Sequence, residues 1–380
     1  MHINFRYAWV AAALLIGAGC AFASAASPIT DLGALGPFNG TSTAQGINAA
    51  GVIVGDSILE RDPHDPRDSS KRPDFRDRAF IYRRAGPMKD LGTLGGRWST
   101  AKSINNRGDV VGTALTADDL RHAFVYSGAG PLKDLGTLGG SYSYAGGIND
   151  RGEIAGHSTT RKGLCRAFRY SGGRMENLGA LDGQWSFGAD INDAGVVVGS
   201  SSTPNGERAF RYRGAGPMEE FGTLGGSTST AHAINHHGVV VGRAQIKGDA
   251  VFHAFRHSGA GPMKDLGSLA RARPGGDSCA WQINDDGIVV GSSKLDDGWE
   301  HAVLWLADDT IVDLEDWLDK TDPAAGARWQ LYQALDVNTS GMVVGWGTID
   351  VDNDGKQDSR AFLLDASSVV KGRKNRDIVR

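Results

Sequence analysis

LKDLGTLGGSYSYAGGINDRGEIAGHSTTRKGLCRAFRY, residues 132–170, is the unit that the rest of this 380-residue chain repeats. Its short apolar runs are separated by Gly, Asp, Asn and Ser, residues that make turns, so it reads as four strands in a meander. No segment in it carries helical spacing. The asparagine of its Ile-Asn pair belongs to a series, Asn48, Asn105, Asn149, Asn192, Asn235, Asn284 and Asn338, at steps of 57, 44, 43, 43, 49 and 54 residues. A four-stranded unit of about 40 to 50 residues repeated four to eight times is the signature of a β-propeller, in which each sheet covers the faces of its neighbours around an axis.

The order of the parts argues for closure. With a blade written as A (SxAxxIN), B (VVGxS), C (RAFxY) and D (MxDLGTL), the D copies begin at Asp31, Asp90, Asp134, Asn177, Glu220, Asp265 and Asp313. The first precedes every A strand and none clearly follows the last C strand, so residues 29–35 are expected to complete the sheet of residues 331–364. The expected fold is all-β, a seven-bladed propeller of four-stranded antiparallel blades spanning residues 26–366 and closed by an N-terminal strand in the last blade.

Each strand has a physical signature. Strand A is rich in small residues, such as Ser143 and Ala145, which lets seven strands converge on the axis. The IN-x-x-G segment that follows suits a tight turn with a left-handed glycine. Strand B is β-branched and apolar on both sides, as a strand covered on both faces should be. Its closing glycine leaves room for a neighbouring backbone or ring. Strand C carries one phenylalanine per blade, expected as a wedge between sheets.

Residues 1–25 combine a basic start at Arg6, an apolar run over 8–18 and Ala23-Ser24-Ala25, which reads as a secretory signal peptide. The mature chain is expected outside the cytoplasm, extracellular or periplasmic. Lipoprotein anchoring through Cys20 is the lesser alternative, because Gly17 stands where a larger aliphatic residue is usual. No later stretch of 18 apolar residues exists, so no membrane span is expected. A formal charge of −4 with mixed signs argues against nucleic acid as a partner. Residues 367–380 form a basic tail that reads as a solvated terminus. Cys165 and Cys279 fall in the third and sixth blades, too far apart in the ring for a disulfide to be expected. A monomer is expected.

The run HAFVYSGAGPLKDLGTLGG, residues 122–140, with its weaker copies throughout, resembles the HAF-repeat family of bacterial repeat proteins. The resemblance covers the mature chain, and its motif is specific because the H/R-A-F and DLGTLGG strings recur together. It implies a secreted or surface repeat protein and brings no assigned activity and no catalytic residues. The chain departs from the pattern at Ala302-Val303, where Phe is lost, and at Asp313-Leu314-Glu315, where Gly is lost.

Chemistry must come from departures from the repeat. In residues 350–358, Asp350, Asp352, Asp354 and Asp358, a glycine at Gly355 and the Lys356 backbone carbonyl match a calcium loop, since hard cations take six to eight oxygens in a flexible cage. The string resembles the D-x-D-x-D-G-x-x-D loops of integrin α propellers. The expected cofactor is one structural Ca2+, against the alternative of a solvated acidic loop. An insertion over residues 56–78, with seven acids, six bases and three prolines, reads as a mobile loop on the rim where the ring closes. The connection over residues 315–328, flanked by Trp317 and Trp329, is expected on the same rim and allows a short helix. Trp98, Tyr142 and Trp185 share one register, six residues before the isoleucine, and form a candidate aromatic platform for a glycan near the channel mouth; the alternative is packing. His122, His253 and His301 precede strand C at repeat positions and read as packing or hydrogen bonding at strand starts.

No Ser/His/Asp order, H-E-x-x-H or phosphate loop occurs. The functional expectation is an exported, non-enzymatic propeller binding a protein or glycan through one rim. The alternatives are a carbohydrate-active enzyme, a polysaccharide lyase or hydrolase, and a structural cell-surface or matrix module.

Overall fold

A computed structural model describes residues 26–36, 40–61, 75–84, 86–272, 275–351 and 355–371. They form seven four-stranded antiparallel sheets, each in the spatial order A-B-C-D. In the third blade these are Gly139–Ile148, Ile154–Thr160, Cys165–Ser171 and Arg174–Asn177. The last sheet holds Trp329–Val337, Met342–Ile349 and Asp358–Asp365, and its outer strand is Ile29–Asp31. That strand pairs Ile29 with Leu364 and Asp31 with Phe362, and Leu32 N–H extends the ladder to Ala361 C=O. The two ends of the propeller therefore share one sheet.

The core lies between blades. A typical cluster joins Val111 and Ala123 of the second blade to Ala145, Ile148, Ile154 and Phe168 of the third. The strand-C phenylalanines Phe80, Phe124, Phe168, Phe210, Phe255 and Phe362 are fully buried. Each faces the strand-B glycine paired with it, as Phe168 faces Gly156, where a Cβ would overlap the Tyr144 carbonyl and the Phe168 ring. In the sixth blade Val303 occupies the phenylalanine's place, and the ring of Trp305, two residues on, covers Gly291 instead. The volume is kept although the motif is broken.

Two sets of polar bonds fasten neighbouring blades, and a third ties strand D to strand C within a blade. Ser143 Oγ accepts from Ala123 N–H at 2.9 Å and donates to Gly136 C=O at 2.6 Å, both in the preceding blade. Ser42, Ser99, Ser186, Ser229 and Ser278 make the same pair of bonds. Strand A is thus built of serine for bonding as well as for size. In the seventh blade Glu315 does related work by accepting from Leu331 N–H at 2.8 Å.

The asparagines form the second set. Each side-chain NH2 donates to the backbone carbonyl of the next asparagine, from Asn48 round to Asn338 and back to Asn48, at 2.9 to 3.2 Å. Each side-chain oxygen accepts a backbone N–H of its own turn, as Asn149 does from Glu153. The third set explains why H/R-A-F and DLG recur together: His122, His253 and His301 bond the strand-D aspartates Asp134, Asp265 and Asp313 at 2.8 to 3.0 Å.

Local differences from expectation have simple causes. The first blade's B and C strands continue as a hairpin to Arg61 and from Phe75, so much of the segment from residue 56 to 78 is strand, and residues 62–74 lie outside the described residues. The connection after the sixth blade forms two short helices, Leu314–Thr321 and Pro323–Gly326. The first is capped by the Asp313 carboxylate, which accepts from Glu315 and Asp316 N–H. Residues 367–371 make a helical turn that buries Val370 against the last blade, so the chain stays packed a few residues past 366. Among the described residues no helix is long and apolar enough to cross a membrane.

Candidate functional site: the axial cavity

Every strand A carries a β-bulge just before its isoleucine or valine. A bulge inserts one unpaired residue and re-aims its side chain. The bulged residues are Gln45, Lys102, Gly146, Ala189, His232, Trp281 and Leu335, and all seven line one cavity of about 350 Å3 on the axis. Around them the repeat is strict; at this position no two blades agree. A smaller cavity of about 210 Å3 lies on the side of the asparagine ring and shares Ser103, Asp190, Gln282 and Asp336 with the first.

The wall has two halves. Blades three to six supply an aromatic arc. Tyr144 stacks on His157 at 4.9 Å, His157 meets Phe187 edge-on at 4.8 Å, and His232 stacks on Trp281 at 4.7 Å. Blades one, two, four and seven supply Gln45, Lys102, Asp190 and Asp336, with Lys102 Nζ donating to Gln45 Oε1 at 3.1 Å. A flat apolar face and a hydrogen-bonding edge are thereby offered together.

Protonation follows from enclosure. Burial raises the Asp190 carboxyl to about 7 and Asp336 to about 6, despite two backbone N–H bonds to each: Ile191 and Ile234 on Asp190, Ile47 and Val337 on Asp336. Burial lowers Lys102, while Asp336, Asp56 and Asp190 oppose the shift. Solvent reaches the lysine within the cavity although protein surrounds it, so it is less desolvated than a dry site would make it. His157 and His232 are pushed down to about 4 and are neutral at pH 7.

The His232 tautomer is fixed by its neighbour. Its Nδ1 lies 2.9 Å from Ala280 C=O, an acceptor, so Nδ1 carries the proton and Nε2 is left as a lone-pair acceptor. Cys279 Sγ is 3.5 Å from that same Nδ1 and its thiol is pushed up to about 12 by burial. A protonated nitrogen cannot take the thiol's proton, so the pair is no nucleophile and base.

The residues singled out by sequence fall elsewhere. Trp98, Tyr142 and Trp185 are half-buried, the first two within the first half of strand A and the third just before it, and none lines the axial cavity. Trp98 Nε1 donates to Asp77 at 3.1 Å. Tyr142 and Trp185 are the outer ends of a ladder, through Tyr144 at 5.8 Å and Phe187 at 4.9 Å, whose inner rings do line it. Sequence reasoning passed over Tyr144, His157, Phe187, His232 and Trp281. The signal that finds them is variation at the x positions of SxAxxIN and at the residue after the strand-B glycine.

In the acidic loop, Gly355 has φ +82° and its N–H donates to Asp350 Oδ2 at 3.1 Å, while Arg328 bonds the Asp350 carbonyl at 3.2 Å. Asp358 lies 3.8 Å from Arg360. Asp352 and Asp354 lie outside the described residues, and among the described ones no group of three acidic, His or Cys ligands converges. Cys165 and Cys279 are both free.

No family model matches the chain, and no curated protein matches it. Among solved structures it is similar to the β-propeller domain of the Trilobed protease from Pyrococcus furiosus, described as having an open velcro topology. The TM-score is 0.54 at 10% identity, over 86% of this chain and 94% of that one. BP39L lectin from Burkholderia pseudomallei aligns over 89% of this chain and 97% of that one at 10% identity and TM-score 0.47. TolB from Acinetobacter baumannii aligns over 68% of this chain at 12% identity and TM-score 0.45, and the match spans 62% of the TolB chain. At 10% identity the first of these likenesses shows the propeller fold alone.

Proposed function

We propose that the chain is an exported, non-enzymatic ligand-binding propeller that holds a sugar residue of a glycan in its axial cavity. The carrying observation is the set of seven bulges, which turn seven different residues into one cavity while the surrounding repeat stays fixed. A purely structural ring needs the inter-blade bonds but has no use for seven different residues at that position. A cavity of about 350 Å3 is at the small end of ligand sites. An aromatic arc facing Lys102, Gln45 and two carboxyls suits a ring with one apolar face and a hydroxylated edge.

The hydrolase or lyase reading finds less support. Both oxygens of Asp190 and both of Asp336 are engaged by backbone N–H groups, so these carboxyls act as latches on the bulges. Export rests on residues 1–25 and, with the HAF-type repeat, belongs to the same proposal. So does a calcium ion at Asp350, Asp352, Asp354, Asp358 and the Lys356 carbonyl, which the left-handed Gly355 turn favours.

Glycan-array binding of the purified protein tests the reading. Tyr144→Ala and Trp281→Ala should each abolish binding of the array's ligand at an unchanged melting temperature, whereas Trp98→Ala should not. Binding that survives both cavity substitutions and is lost with Trp98→Ala would return the site to the rim.

A further inference from the structure

Beside the axial cavity lies a second one, of about 280 Å3, between the fifth, sixth and seventh blades. Trp281 belongs to the lining of both, so its indole is the wall between them. The side cavity is lined by charged groups, and all but one are matched. Lys294 Nζ bonds Asp277 at 2.8 Å, and Glu300 accepts from Gln333 Nε2 at 3.4 Å. Arg243 has neither an ion-pair nor a hydrogen-bond partner among the described residues. Its guanidinium carbon lies 4.7 Å from the centroid of the Phe252 ring, and the carboxylate near enough to feel its charge, Asp277, is already bonded by Lys294.

Arg243 stands at a position where the blades differ from one another. The residue after the strand-B glycine is Asp56, Thr113, His157, Ser200, Ser292 and Trp346 in the other blades. Nothing in blade packing calls for arginine there. A flat guanidinium in a concave site is matched by a planar two-oxygen anion. Glu300, on the same lining, repels a second anion but accepts from hydroxyls, so a hydroxylated carboxylate fits the whole lining better than a bare one.

We propose that the Arg243 cavity is a carboxylate subsite, and that the ligand is an acidic glycan whose uronate carboxylate Arg243 binds while a neighbouring sugar occupies the axial cavity beyond Trp281. The first half stands on the side cavity alone; the second rests on the axial reading above.

Two measurements separate them. Free D-glucuronate should slow phenylglyoxal modification of Arg243, followed by peptide mass spectrometry, while D-glucose should leave it unchanged; equal rates would overturn the carboxylate subsite whatever the axial cavity binds. In calorimetry, the disaccharide glucuronyl-glucose should bind at least about tenfold more tightly than its neutral glucosyl-glucose counterpart, the size of a charge-assisted hydrogen-bond pair. Arg243→Gln should erase that preference and keep the neutral affinity; a preference that survives it overturns the subsite. Tyr144→Ala should weaken both sugars. If glucuronate protects Arg243 but Tyr144→Ala weakens neither disaccharide, the axial half is wrong and the subsite stands alone.

Discussion

A turn accepts asparagine or aspartate, yet all seven turns here use asparagine, and the reason lies in the amide's second function. Its oxygen closes the local turn, and its NH2 reaches the next blade, a bond that aspartate cannot donate. Asn192→Asp keeps the first bond and removes the second, setting a carboxylate against the Asn235 carbonyl. The expected loss is about 1–3 kcal/mol, the cost of a buried unsatisfied partner, read by urea unfolding at pH 7. An unchanged midpoint would show that the ring contributes nothing. The same scale holds the pH response. Asp190 titrates at an ordinary 3.8 when unfolded and near 7 when folded, so the stability of its neutral form is complete below about pH 4 and is lost as pH rises toward 7. His157 and His232 act oppositely: their neutral forms favour folding above 6.5, and that stability is lost as pH falls toward 4. Whatever constant offset the amide brings, Asp190→Asn should therefore gain on the wild type from pH 4 to 7, with the titrations of Lys102 and Asp336, both coupled to Asp190, shifting as its charge is lost. Parallel stability curves would sink the assignment.

Elements were legible in proportion to how strictly they repeat. Serine, asparagine, glycine and phenylalanine recur because each touches the same atoms of a neighbouring blade, and recurrence is what a sequence displays. The seventh D strand was found by its displacement to the front of the chain for the same reason. The bulges were not legible, because an inserted residue leaves the spacing of SxAxxIN intact and its side chain varies. The aromatic platform was accordingly sought in a shared register, Trp98, Tyr142 and Trp185, whereas the cavity rings Tyr144, His157, Phe187, His232 and Trp281 come from three different registers. The displaced strand makes a prediction of its own. Ile29 and Leu32 are buried against the last blade, and removing residues 27–35 exposes both together with the edge of Asp358–Asp365. At about 1.5–3 kcal/mol for each large apolar side chain, the truncated chain should lose roughly 3–6 kcal/mol in urea unfolding. Retention of the full-length midpoint would mean that the ring does not depend on this closure.

At the scale of the molecule, the seam between first and last blades is where a ring of repeats is weakest, since only there do contacts join the two ends of the chain. Three devices join the chain ends there, the shared sheet, the Asn338 to Asn48 bond and the Ala361 N–H bond to Ser42 Oγ, and the acidic loop lies between the B and C strands of the same last blade. Arg328, at the end of the helical connection, ties itself to the Asp350 carbonyl, so the loop is joined to the segment that leads into the last strand A. An ion held there would stiffen the closing blade without touching the axial cavity. Binding to the folded state alone stabilises by mass action, about 2.7 kcal/mol at a hundredfold excess over Kd. Calcium should therefore raise the melting temperature of the chelator-treated protein, magnesium should do so less because it demands a near-ideal octahedral shell and gives up its waters reluctantly, and Asp352→Ala with Asp354→Ala should abolish the rise while sparing ligand binding. Identical melting with and without calcium would remove the ion and leave the seam to the shared sheet and the asparagine ring.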